Sequence, residues 1–188
     1  MVNEEFKREV GRLFIKGFGE ALETSAESSE LIIKEQTKEV GDYGDEFFLL
    51  TVSSQLFRLF IVLHFKIDDI SKNFTAQALN ASPSNVTPEN LYDYLGEVGN
   101  AFCGSIKRNL NKTVPHLGMS TPNRLAKDCL PYLSSFNIDE EFHAIAEYQG
   151  NTLFSASAYI STDSEVNYSV QITNEIEEDA DSGELEFF

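Results

Sequence analysis

Basic residues are scarce in this chain: 14 Lys and Arg stand against 31 Asp and Glu, a net charge of −17 over 188 residues. Phosphate backbones and anionic lipid surfaces are held by clustered cations, so the deficit argues against a nucleic-acid or membrane-surface partner. Cysteine is nearly absent. Cys103 and Cys129 are the whole complement and have no paired spacing, which argues against a disulfide framework or a zinc site. Long apolar runs are missing too: the stretch 56–65 is interrupted by Arg58 and is far too short to span a bilayer. The opening MVNEEFKREV has no apolar core of a signal peptide, so a cytoplasmic location is expected. No glycine-rich loop leads into Lys-Ser/Thr, neither Ser53 nor Ser54 sits in a nucleophile elbow, and His64, His116 and His143 are far apart in sequence, so no metal site is readable. Nucleotide-loop, serine-hydrolase and zinc chemistry are therefore not indicated.

What remains is a well-supplied core. Hydrophobic residues make up 41%, with 15 Phe and 7 Tyr, enough for one globular domain. The most informative stretch runs from Thr87 to Lys112. Thr87 is an N-cap, Pro88 suits the first helical position, and Glu89 complements the helix dipole. Leu91, Leu95, Val98, Phe102, Ile106 and Leu110 recur at helical spacing and form one apolar stripe. At about 100° per residue, Asp93, Glu97, Asn100, Gly104 and Lys107 fall together opposite that stripe. Gly96, Gly99 and Gly104 interrupt the helix, each at a cost of roughly 1 kcal/mol relative to alanine. Glycine is tolerated there where something must approach the backbone closely, which favours a docking face over an indifferent solvated one.

The rest of the chain alternates helix and hairpin. Residues 3–23 have helical periodicity through Phe6, Val10, Phe14, Phe18 and Leu22. Residues 24–29 are a polar connection and 31–40 a strand; GDYGD is a turn cluster before a hairpin of 46–53 and 56–66. Asp68 caps a short helix to Leu79 with Ile70, Phe74 and Ala78 inward. After the long helix come an extended piece at 116–121, an unassigned segment at 123–135, a second hairpin at 142–148 and 152–160, and a strand at 168–173. Residues 175–186 hold seven acids and no base, a solvated tail by composition. Its closing Leu185, Phe187 and Phe188 are either a docking segment or a plain end.

An offset of 88 residues lays Glu9-Val10-Gly11-Arg12 on Glu97-Val98-Gly99-Asn100, and Phe14 on Phe102. Shared helical period explains the apolar matches; the glycine match is stronger, because glycine is disfavoured inside helices. The chain thus reads as a duplicated helix-plus-hairpin unit. The copies differ at Asn100 against Arg12.

With those residues in place, the chain resembles the CheC, CheX and FliY phosphatases of bacterial chemotaxis. Their motif is an Asp or Ser, a Glu four residues on, an Asn three further, and a Pro a little over twenty later; here these are Asp93, Glu97, Asn100 and Pro122. The small residues Gly99 and Gly104 and the duplicated plan also fit, although Gly99 stands where the family has alanine and the gap to Pro122 is about one residue short. Arg12 in the first half makes it most similar to a single-site CheX-type member.

The resemblance implies an α+β fold of two similar halves, about 1–80 and 81–174, with long helices on one face of a mostly antiparallel sheet. The acidic tail 175–188 follows. It implies a phosphatase acting on the aspartyl phosphate of a CheY-like response regulator, or else a non-catalytic module that docks a receiver or flagellar component. In the enzyme reading Asn100 orients the attacking water and Glu97 binds the receiver's lysine. Asp93, Gly99, Gly104 and Pro122 shape the docking face. The implied cation is Mg²⁺ on the receiver, so the chain is expected to need no metal or cofactor of its own. A homodimer is a further family expectation.

Overall fold

Two long amphipathic helices and a short one lie against one face of an antiparallel sheet. The computed structural model describes residues 3–23, 31–39, 44–114 and 116–162. The expected strand at 168–173, the acidic tail, the connection at 24–29 and most of the GDYGD turn lie outside the described residues. Helix α1 spans Glu4–Glu23 and buries Phe6, Val10, Leu13, Phe14, Phe18 and Leu22, the stripe its periodicity predicts. Helix α2 spans Asp69–Ala78 behind the Asp68 cap, and Ser71 returns a bond to the Asp68 backbone. Helix α3 spans Pro88–Leu110. Its Thr87 cap accepts from the Asn90 N–H at 3.2 Å, and Asn90 Oδ1 accepts from the Thr87 N–H at 3.0 Å, closing a capping box.

The strands are β1 (Leu31–Gln36), β2 (Glu46–Ser53), β3 (Phe57–Phe65), β4 (Gly118–Met119), β5 (Asn123–Ala126), β6 (Ile138–Tyr148) and β7 (Asn151–Thr162). They form one seven-stranded sheet in the order β1-β6-β7-β3-β2-β4, with β5 also on β2. Every pairing among them is antiparallel. The order is alike from both edges. The hairpins β2–β3 and β6–β7 meet at β3–β7, and each outer hairpin strand is covered by a strand from the other half of the chain. Gln149 and Gly150, with φ of 51° and 76°, make the tight turn of the second hairpin.

Alternate strand residues face the helices. Leu50, Val52, Leu59, Ile61, Leu63, Ala158 and Ile160 pack there beneath Phe14, Phe18, Phe102 and Ile106. Phe102 bridges the two long helices, with its ring 5.6 Å from Phe14 and 5.4 Å from Phe18. On the opposite face, a smaller cluster of Phe47, Phe60, Val62 and Tyr159 is covered in part by Leu133. Leu133 belongs to the 3-10 stretch Lys127–Ser135, the segment that the sequence left unassigned.

The matched glycines of the two helices have a packing role. A Cβ at Gly11 would stand 2.7 Å from the Phe142 ring, and one at Gly99 would stand 3.0 Å from Leu50 Cδ1. Both let a helix lie close on the sheet. This corrects the expectation for Gly99: it is buried against β2 and β3 and clears no room for an incoming domain.

The two thiols are differently placed. Cys103 is buried, and burial pushes its pKa up to about 12, whereas Cys129 is half-buried within the 3-10 stretch, against the smaller cluster. Thiolate is the reactive form. A disulfide reagent at pH 8 is expected to modify one thiol in the native protein and two in urea; mass spectrometry of Cys129→Ser protein should show none before unfolding. Rapid native labelling of Cys103 would contradict its burial.

Candidate functional site

The outer face of α3 carries the sequence-predicted cluster. Asp93 and Glu97 are exposed and Asn100 is half-buried. Among the described residues, no hydrogen bond or ion pair engages any of these three side chains. They line an open depression of about 800 Å³ together with Gly96, Pro122 and Arg124. Pro122 reaches it because the chain after α3 is laid along β2. The Ser120 N–H donates to the Thr51 carbonyl at 2.9 Å and Ser120 Oγ accepts from the Thr51 N–H at 2.9 Å. Proline has no N–H to give a ladder, and it falls in the break between β4 and β5 on this sheet edge.

Asp93, Glu97, Asn100 and Pro122 therefore come together although the first and last stand 29 positions apart in the chain. Gly104 does not line the depression. It lies one turn beyond Asn100, half-buried, and a Cβ there would make an ordinary 3.6 Å contact with Arg108 Nη1. Gly96 is the α3 glycine with open space in front of it: nothing stands within 4 Å of its Cβ position.

The structure adds a group that sequence reasoning missed. Arg124 of β5 pairs across from Phe48 of β2, so both point to the helix side. Its guanidinium lies 4.0 Å above the ring of Tyr92 on α3, and its Nε is 3.4 Å from Glu46 Oε1. The Tyr92 hydroxyl donates to the other oxygen of Glu46 at 2.8 Å. Burial, and then the Glu46 carboxylate, push the Tyr92 phenol above its usual range, so it stays a donor. A four-residue edge strand with a single half-buried residue, Leu125, is too short to show alternation, which is why Arg124 carried no signal in the sequence.

No protein-family model matches the sequence, and no curated protein matches it in sequence. Solved structures do match in shape. CheX from Vibrio vulnificus superimposes with a TM-score of 0.62 at 19% identity, over 81% of this chain and 99% of that one. A CheX from Borrelia burgdorferi, in complex with CheY, BeF3 and Mg²⁺, gives 0.63 at 11% identity over 80% and 96%. FliY from Thermotoga maritima gives 0.51 at 17% identity over 85% and 91%. The fold is that of CheX, CheC-like and FliY proteins. The α+β architecture and mostly antiparallel sheet match the sequence expectation. At these identities the likeness is one of fold, and the chemistry has to be argued from this chain's own residues.

Within the CheX-like fold the two long helices present different surfaces. The position on α1 that matches Glu97 is Glu9, and both its oxygens are held by Arg12, at 2.8 Å to Nε and 2.6 Å to Nη2. The acid of the first half is paired in place, while that of the second half has no partner among the described residues. No helix of the described residues is long and apolar enough to cross a membrane. Among the described residues no group of three or more His, Cys, Asp or Glu is placed to hold a metal ion.

The open glycines yield a stability test. Gly96→Ala and Gly104→Ala each remove a helix-interior glycine without a clash and should each stabilise the fold by about 0.5–1 kcal/mol. Urea midpoints measure this. A loss of stability in either variant would mean that folding itself requires the glycine.

Proposed function

We propose that this protein is a CheX-like phosphatase that hydrolyses the aspartyl phosphate of a CheY-like response regulator in the cytoplasm. The observation that carries the reading is the pair Glu97 and Asn100: unengaged side chains one turn apart on a rigid helix, in a depression also lined by Asp93 and Pro122. An acyl phosphate is reactive already, so catalysis consists mainly of placing a water in line with the phosphorus. The Asn100 carboxamide can accept from that water and donate to an oxygen at once. It is too weak a base to take the proton, which leaves with the phosphate product. Glu97 supplies a carboxylate for the receiver's lysine, orienting the docked domain. Asp93 adds a second carboxylate at the N-terminal end of the same face. In this reading Mg²⁺ is held by the receiver, where it neutralises phosphoryl charge, and this chain contributes no ligand to it.

The deciding experiment is phosphate release from a phosphorylated CheY-like receiver, with wild type, Glu97→Ala and Asn100→Ala compared at equal concentration. Wild type should accelerate release and both variants should fall well below it. Equal rates for all three would sink the enzyme reading. Tight binding by wild type with no acceleration would leave a docking module in its place.

A further inference from the structure

We propose that Arg124 is the docking residue that captures an oxyanion of the partner at the Asn100 depression, with Glu46 as its positioning residue. This rests on the receiver-phosphatase reading of the same site.

Among the residues that line the depression, Arg124 is the one cation, against the two carboxylates Asp93 and Glu97. The chain as a whole carries −17, so an approaching phosphoryl or carboxylate group meets repulsion nearly everywhere. A single positive charge in the depression therefore has a large share in deciding where such a group comes to rest.

The guanidinium is also built for it. Tyr92 lies under one face at 4.0 Å, and Glu46 engages Nε at 3.4 Å. The Tyr92 hydroxyl fixes the second Glu46 oxygen, so three elements, α3, β2 and β5, hold one side chain in place. No other group among the described residues engages Arg124, and its side chain is 45% exposed. The outer edge of the guanidinium is thus left with its donors toward solvent. That edge forms paired hydrogen bonds with a planar carboxylate or with two phosphoryl oxygens. A lysine would offer charge without the fork. Because Arg124 is held before the partner arrives, little side-chain entropy is lost on contact.

The test uses the full chain and a CheY-like receiver. Arg124→Gln should raise KM for the phosphorylated receiver about tenfold, equivalent to one lost charge-assisted contact, and leave kcat within about twofold. It should also flatten the ionic-strength dependence of kcat/KM. Arg124→Lys should recover part of the affinity, and Glu46→Gln should move KM in the same direction by less. Thermal midpoints check that the variants fold. Titration of the receiver with and without beryllofluoride separates the two sources of oxyanion. A loss confined to the beryllofluoride form assigns the contact to the phosphoryl group; an equal loss in both assigns it to a carboxylate. An unmoved KM, or a fall in kcat alone, overturns the assignment. If Asn100→Ala is inactive in the same assay while KM is unmoved in Arg124→Gln, the phosphatase reading stands and this inference fails. If wild type neither binds nor accelerates, both fail.

Discussion

Asn100→Ala is expected to lower turnover of a phosphorylated receiver by a factor of ~10²–10³, the usual cost of removing one preorganised polar group from a transition state, and to leave affinity within about twofold. The argument is geometric. Asn100 stands on α3 between Glu97 and the core residue Phe102, on a helix closed at its start by the Thr87 and Asn90 box. Its backbone is therefore held by both the cap and the core. Its amide is half-buried, so the number of rotamers available to it is smaller than on an open surface. A group fixed in this way costs little reorganisation when the water and the phosphoryl group arrive.

The carboxamide offers donors and an acceptor together, and the other carboxamide of α3 that lines the depression, Asn90, has its oxygen engaged by the Thr87 N–H in the capping box. Asn100→Asp keeps the shape but loses the donors and adds a negative charge facing a phosphoryl group, so it should be at least as inactive. Glu97→Ala should act differently, raising KM more than it lowers kcat, because pairing with a lysine contributes to docking before the chemical step. Stopped-flow measurement of receiver dephosphorylation at varied concentration separates the two. If Asn100→Ala retained more than about half of wild-type kcat, water placement by this residue would be ruled out.

Phe102→Ala should cost about 3–5 kcal/mol, a large part of the 5–15 kcal/mol that holds a typical domain together. The ring is fully buried. It touches both Phe14 and Phe18 of α1, and the missing side chain of Gly17 leaves a slot whose Cβ position is 3.2 Å from Phe102 Cδ2. Removing the ring opens a cavity at the joint of the two long helices, where rigid packing on both sides limits collapse. The urea midpoint should fall steeply with an unchanged slope. Phe18→Ala should be costly too, and the double variant should cost less than the sum because the two rings share one contact. A loss under about 1 kcal/mol for Phe102→Ala would mean that the joint can close over the gap. Activity per folded molecule should change far less than stability, since Phe102 is on the side of α3 facing away from the depression.

Much of the fold was legible because it is written in local periods. The helical spacing from Phe6 to Leu22 and from Leu91 to Leu110, and the short apolar runs of the two hairpins, each report burial by a neighbouring layer. Strand β6 began earlier than its apolar pattern suggested, at Ile138. Its first turn of strand is charged and irregular in register, and the Asp139 carboxylate instead ties the end of β7 by accepting from the Thr162 backbone and hydroxyl. Segment 123–135 was unreadable for a related reason. An exposed edge strand followed by a 3-10 stretch containing Pro131 has neither period. Gly99 was misassigned although its position was informative. It lies four residues after Leu95 and three before Phe102, within the buried stripe, but a residue with no side chain gives no polarity by which to place it.

By itself, then, the sequence determined the helices, the hairpins and the clustering of Asp93, Glu97 and Asn100 on one face, because these follow from backbone geometry over a few turns. The tertiary structure alone decided that Pro122 and Arg124 close the depression, that Glu46 and Tyr92 hold the guanidinium, that Gly11 and Gly99 turn to the sheet, and that Glu9 is paired with Arg12 while Glu97 has no partner among the described residues. Most of those contacts join residues tens of positions apart, and their partners are set by sheet register and by how closely a helix lies on it. The exception, Glu9 with Arg12, is local, but which rotamers meet depends on the surface left exposed after packing.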